Sequence, residues 1–247
     1  MISFGDAGLL LGAGIVAGAV GPAGGITSLV SYPALLAAGV PALAADVANM
    51  VALVVCFPGS ALASRPELAG RSSWLGRWSW APAAGGVTGA VLLLLTPAGA
   101  FDRVVPVLVA GASVVLLLQP RISARAAHRT RGNNPLLAGG LLSVSAYNGY
   151  FGAGAGVMTL ALVLLTVDDH MARANALKNM LVGVATLASA AVLAVMGHVD
   201  WQAVAPLSAG TFTGSLIGPS VTRRVRPALL RWLVAMAGLG LAVRLAL

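Results

Sequence analysis

Long apolar runs separated by short polar stretches fill the chain, and they recur in the same order twice. The first half opens with an apolar segment over residues 6 to 39, interrupted by Gly21-Pro22-Ala23-Gly24-Gly25. Uninterrupted runs follow at 43 to 63, 78 to 96 and 103 to 120. A polar stretch over 121 to 134, carrying Arg121, Arg125, His128, Arg129, Arg131, Asn133 and Asn134, divides the chain. Beyond it the order returns: a segment over 135 to 166 interrupted by Gly152-Ala153-Gly154-Ala155-Gly156, then runs at 171 to 196, 202 to 221 and 228 to 246. Runs of about 17 to 25 residues rich in Leu, Ala, Val and Gly suit membrane-crossing helices, whereas barrel strands alternate over about 10 residues. The pattern predicts an all-α polytopic membrane protein: a first repeat over 1–120, a linker over 121–134 and a second repeat over 135–247.

An offset of 131 places Gly21 on Gly152, Gly25 on Gly156 and Ser28 on Thr159, and one further gap places Asn49-Met50 on Asn179-Met180. Each arm of a broken segment, such as Leu9 to Val20 or Ile26 to Ala38, is expected to be about 12 to 14 residues, too short for a hydrocarbon core of about 30 Å. Re-entrant hairpins meeting near the midplane follow. Their non-helical tips need burial in protein or a wet cavity, because an unpaired backbone group in lipid costs several kcal/mol. Paired interruptions of this kind point to the substrate site of an internally repeated transporter.

The direction of the repeats follows from the arginines. If each broken segment returns to its starting side and the linker is cytoplasmic, Arg65, Arg71, Arg77, Arg173 and the Arg223 to Arg231 cluster are cytoplasmic too. Only Arg103 and Arg244 then face out. A single crossing by each segment would erase this asymmetry, so inverted repeats are predicted, as a multi-pass protein of the cytoplasmic (inner) membrane.

Composition closes off other classes. Of 247 residues 58% are hydrophobic and 9% charged, with a mean hydropathy of +0.92, which leaves too little polar surface to coat a soluble globule. The net charge of +8 lies in short loops, where membrane orientation explains it; nucleic acid is not an expected partner. The lone Cys56 lies in an apolar run and reads as packing. Residues Met1 to Asp6 lack a basic stretch, so the first helix is expected to be retained. His128, His170 and His198 are scattered, and no metal-ligand spacing or P-loop occurs, so no metal, cofactor or enzymatic activity is predicted.

The candidate chemistry gathers at the interruptions. Glycine permits close backbone approach, and a helix starting just after a cluster points free N–H groups and its positive dipole end into the gap, as suits an anion. Gly21, Ala23, Gly24 and Gly25 with Ser28, and Gly152, Gly154 and Gly156 with Thr159, are the predicted contacts; helix packing is the alternative use of such glycines. The only lysine, Lys178, shares a helix face with Asn175, Asn179 and Val182, facing a cavity or snorkelling to the headgroups. Asn49 could bond substrate or link two helices. Asp46 offers a route for proton coupling, although a solvated acid at a helix end is the preferred reading. Asp168 and Asp169 read as first-turn acids favouring a helix dipole. Tyr147, Asn148 and Tyr150 are expected to face protein or the pathway, and Trp74, Trp78, Trp80, Trp201 and Trp232 an interfacial belt.

Gly12 to Gly25, followed by Pro33-Ala34-Leu35-Leu36, Gly39-Val40-Pro41 and an Ala-rich entry to Asn49, has a second copy in Gly149 to Gly156 and Ala174 to Asn179. On these residues nearly the whole chain resembles the TauE/SafE sulfite exporter family, also called TSUP or DUF81. Departures are Pro22-Ala23-Gly24-Gly25, with alanine for one glycine of a G-x-G-G-G motif, and Ala48-Asn49 for a Thr-Asn or Thr-Ser pair. The resemblance implies export of sulfite, sulfoacetate or other organosulfonates, driven by ion gradients. The expected function is therefore a secondary transporter of a small sulfur oxyanion, with an anion channel or a membrane scaffold as alternatives. The expected partners are the anion, membrane lipid and, as an open question, a second copy of the chain.

Overall fold

The computed structural model describes residues 3–126, 134–222 and 227–246; among these the chain forms thirteen helices and no strand. In the first half they are α1 (Phe4–Gly24), α2 (Thr27–Ala37), α3 (Ala42–Leu53), α4 (Cys56–Ala63), α5 (Arg65–Leu68), α6 (Ser72–Trp78), α7 (Trp80–Leu95) and α8 (Ala98–Ala126). The second half holds α9 (Asn134–Tyr150), α10 (Ala155–Thr166), α11 (Met171–Met196), α12 (Trp201–Thr222) and α13 (Pro227–Ala246). Residues 121 to 126 of the polar stretch continue α8, whereas His128, Arg129, Arg131 and Asn133, like Arg223, Arg224 and Arg226, lie outside the described residues. Among the described residues five segments are long and apolar enough to span a membrane, Phe4–Gly21, Ala42–Leu62, Ser72–Leu95, Ala98–Ala124 and Met171–Met196.

Local chemistry explains where these helices start and stop. Ser3 and Asp6 form a capping box, the Ser3 hydroxyl accepting the Asp6 N–H at 3.1 Å while the Asp6 carboxylate accepts that of Ser3. At the far end of α2 the backbone turns through Gly39 in the left-handed region, with Val40 N–H bonded back to the Leu35 carbonyl, and Pro41 then forbids continuation. The span Ala42–Leu62 is divided into α3 and α4 because Pro58 cannot donate to Val54; Phe57 N–H takes the Val54 carbonyl instead.

The arms of the broken segments are unequal, which corrects the expected lengths. Helix α1 runs 21 residues, straight through Gly21 and Pro22, about 31 Å at 1.5 Å per residue, and so is itself long enough to cross. The helix yields only at Gly25, where φ reaches 67°. Helices α2 and α10, with 11 and 12 residues, are the short arms. In the second segment α10 folds back along α9: a side chain on Gly140 would touch Leu162, residues that a straight helix would hold about 33 Å apart. Across their own two-residue break α1 and α2 also pack on one another.

The halves are not separate bodies. Helix α1 packs chiefly on α12, from the other half, and α9 packs on α7. Both pairs run parallel: Gly14 lies against Leu207 to Thr211 and Gly18 against Thr211 to Ser215, just as Gly85 lies against Leu142 to Ala146 and Gly89 against Ala146 to Tyr150. Small residues set the spacing. A Cβ on Gly14 would stand 2.6 Å from the Leu207 carbonyl oxygen, so the backbones touch as membrane helices do when packing, not hydrophobicity, holds them. Two bundles result, α1 to α4 with α12, and α5 to α7 with α9 to α11. Helices α8 and α13 pack together and against α2, and α8 also lies on α3 and α10.

Gly18→Ala, which drives a methyl into the Thr211 carbonyl, is expected to cost about 1–3 kcal/mol by overpacking. Gly12→Ala on the same helix meets nothing within 4 Å and should instead stabilise by up to about 1 kcal/mol. Thermal unfolding of the two purified variants in detergent checks the contrast.

Candidate functional site

The two glycine breaks meet. A Cβ on Gly156 would lie 2.7 Å from the Cα of Gly25, and one on Gly25 would lie 2.9 Å from the Gly156 carbonyl carbon, so neither position admits a side chain. Three glycines, Gly25, Gly152 and Gly154, adopt the left-handed backbone that side chains disfavour. The second break satisfies its own carbonyls: Ala155 N–H donates to Gly152, Val157 N–H to Gly154, and the Tyr147 hydroxyl donates to Ala153 at 2.7 Å. Tyr147 thus faces the break.

Beside this contact lies a chamber of about 90 Å³. One wall comes from the first bundle, with Gly21, Gly25, Thr27 and Ser28 at the break and Met50, Leu53, Val54, Cys56, Phe57 and Ser60 from α3 and α4. The opposite wall comes from the second bundle, with Asn148, Gly152 and Gly156 at the break and Lys178, Asn179, Val182, Gly183 and Thr186 from α11. Asn148 donates to the Thr186 hydroxyl at 3.2 Å, which fixes the wall between α9 and α11. Gly183 makes room for the Phe57 ring, which packs against it from the other bundle. Thr27 and Ser28 at the start of α2 and Gly156 at the start of α10 line this chamber, and their N–H groups have no acceptor within their own helices.

The predicted residues divide around this chamber. Gly21, Gly25, Ser28, Gly152, Gly156, Lys178 and Asn179 line it together, and Lys178 is only 2% exposed. Asn49 does not line it: fully buried, its carbonyl accepts the Ser31 hydroxyl, so it links α3 to α2. Thr159, the counterpart of Ser28, turns its hydroxyl back to the Ala155 carbonyl at 2.9 Å. Gly154 caps α10 and lies against Ala112 of α8. Asn175 lies outside the lining as well, and its buried side-chain oxygen has no partner among the described residues. Ala23 and Gly24 close α1. Asp46 is not a solvated acid: it is wholly buried in α3, one turn before Met50. Sequence reading missed Met50, Phe57, Ser60 and Thr186 as lining residues and took Cys56 as packing; apolar residues in an apolar run carry no signal of which side meets a void.

A second polar cluster holds the start of α11. The Asp168 carboxylate receives Arg71 at 2.7 Å, Arg173 at 2.9 and 3.1 Å, and the His170 N–H at 3.0 Å. It is thus a clamp between α11 and the residue preceding α6, not a first-turn acid. Burial by itself raises the Asp168 carboxyl, but the Arg173 and His170 hydrogen bonds and the two guanidinium charges outweigh it and hold the group below the usual carboxylate range. Arg71 and Arg173 therefore stand on one side of the molecule. Among the described residues no three His, Cys, Asp or Glu side chains converge as metal ligands would.

Five spans among the described residues, and a chamber walled from both halves, define the class as a multi-pass membrane protein. The chain belongs to the sulfite exporter TauE/SafE family, a family of membrane transporters, whose model matches residues 7–245. No curated protein and no solved structure matches the chain.

Because the folded-state Asp168 group is depressed, its contribution to stability is complete above the unfolded value of about 3.9 and is lost as pH falls through the folded one. Asp168→Asn, which gives up charge-assisted bonds worth roughly 1.5–3 kcal/mol each, should lower the melting temperature at pH 7 and flatten its decline in acid. Melting curves across pH 3 to 7, set for this purpose about the carboxylate range, test both.

Proposed function

We propose that this protein is a secondary transporter, working as an exporter, of a small sulfur-containing oxyanion such as sulfite or an organosulfonate. The observation that carries this reading is the chamber itself, where Lys178 joins both glycine breaks, Ser28 and Asn179. Its volume of about 90 Å³ gives room for a few water molecules, the scale of a compact oxyanion. Lys178 supplies the countercharge. The N–H groups of Thr27, Ser28 and Gly156 supply donors that need no side chain, and the side chains of Ser28, Asn148 and Asn179 complete the hydrogen bonding of a group with three oxygens. Asn49, Thr159, Gly154 and Asn175 act on the walls.

The mechanism is alternating access between inverted repeats. The exchange of partners supports the pseudo-twofold, since the first segment of each half packs parallel to the third long helix of the other. The fold-back of α10 on α9 supports a re-entrant second segment, and the convergence of Arg71 and Arg173 on Asp168 supports one cytoplasmic face for both, with the linker on that face in the inner membrane. The moving units are the two bundles and not the two halves of the sequence. Within each bundle one long helix pair interlocks through several glycines, whereas between the bundles lie the chamber, the single Gly25–Gly156 contact, the Phe57 ring on Gly183 and the packing of α11 on α3 and α4.

Proteoliposomes preloaded with unlabelled anion should take up labelled sulfite or an organosulfonate by saturable counterflow, which a channel does not show. Lys178→Ala should weaken apparent affinity at least on the order of ten-fold, the loss of one charge-assisted hydrogen bond. An unchanged KM for every anion would remove Lys178 from the site. Independently, Cys56 is the only cysteine and lines the chamber, so an organosulfonate should slow its modification by methyl methanethiosulfonate. Modification at the same rate with every anion, measured by intact mass, would place binding elsewhere.

A further inference from the structure

The chamber ends at Met50, whose methyl group lies where a Gly152 side chain would stand. One turn away along α3, about 6 Å, is Asp46, on the face it shares with Met50 and Leu53 by i, i+4 and i+7 spacing. Its exposure is 0%, and neither carboxyl oxygen has a hydrogen-bond partner among the described residues. We propose that Asp46 is the proton-carrying site of this transporter, loaded and unloaded in alternation with the anion and separated from it by Met50 and the joined glycine breaks. The inference rests on the anion-transport reading above.

The surroundings select a proton. Tyr32 of α2 and Tyr147 of α9 stand within electrostatic reach of Asp46, but both hydroxyls donate elsewhere, to the Ala42 carbonyl at 3.3 Å and the Ala153 carbonyl at 2.7 Å. Of the other elements packed on α3, α11 presents Lys178 to the chamber, α4 carries Cys56, and α8 carries Asp102, which acts on Tyr32. No residue of α12 titrates by sequence, and the Asn49 side-chain nitrogen is likewise buried without a partner. A sodium ion would need several converging oxygens, and among the described residues no side chain is hydrogen-bonded to Asp46. A proton needs only the carboxylate, and a wholly buried, unpartnered carboxyl is accommodated as the neutral acid, since the bare anion costs several kcal/mol there.

The repeat makes the pairing informative. The register that superposes Asn49 on Asn179 sets Asp46 against Ala176 and Lys178 against Ala48. The two halves have thus diverged so that one helix of the pair carries an acid and the other a base, and only the base lines the chamber. When the bundles rock to the opposite state, the acid side opens. There the anion is released and the Asp46 carboxylate takes up a proton from that solvent, COO⁻ and H⁺ becoming COOH; the return step carries this proton inward, and Asp46 gives it up on the other side as the next anion binds.

The test uses the full chain in proteoliposomes, with counterflow at equal pH and accumulation driven by a pH gradient measured side by side. The wild type should show both; Asp46→Asn should keep counterflow and lose driven accumulation, and Asp46→Glu should keep both with a shifted pH profile. Infrared difference spectra over a pH titration should carry the carbonyl band of a protonated acid that Asp46→Asn lacks. Driven accumulation that persists in Asp46→Asn, a wild type that exchanges anion but ignores the gradient, or a stably folded Asp46→Glu that is inert would each overturn the proposal. Absence of counterflow for every anion strikes the transport reading instead, and the infrared band then decides whether Asp46 carries a proton at all.

Discussion

A chain that interrupts apolar helices must shield the backbone it exposes, and here each interruption shields the other. Gly25 and Gly156 meet main chain to main chain, at a distance that a single added carbon would destroy. Everything around the contact follows from that demand. Left-handed glycines turn the chain, Tyr147 reaches over to occupy the Ala153 carbonyl, and the starts of two short helices are left facing a common space. Polar groups that would be ruinous against hydrocarbon become usable because protein encloses them.

The same economy of side chains governs the long helices. Lipid gives no hydrophobic reward for bringing two apolar helices together, so association must come from close packing. Gly14 and Gly18 against Gly210 and Gly214, and Gly85 and Gly89 against Ala146 and Gly149, supply it at two places related by exchange of the halves. The closest helix pairs therefore join one half of the sequence to the other, and the polar chamber lies between the bundles that result.

Much of this was legible in the chain. Hydropathy and run length announced the spans, and the paired glycine clusters marked where the interior would be. Extent and orientation were harder to read. Gly21-Pro22 looks like a helix end, yet α1 passes through it, because a proline's missing donor and a glycine's flexibility permit a break without requiring one. Ser28 and Thr159 occupy matching positions, but one lines the chamber and the other bonds to its own helix, a difference of rotamer that periodicity does not encode. Asp46 near a helix end reads as solvated until α2, α8, α11 and α12 are seen to pack around α3. The Arg71–Asp168–Arg173 clamp joins residues nearly a hundred positions apart, beyond any local pattern.

The parallel pairing of α1 with α12 also has a consequence for biogenesis. Leu207, which Gly14 touches, is synthesised 193 residues after it, roughly 10 to 40 s later at ribosomal speed. During that interval α1 carries a bare glycine groove without its α12 mate. The nascent chain must tolerate or shelter that groove, and the amino-terminal half, expressed without its other half, would lack the surface on which its first helix settles.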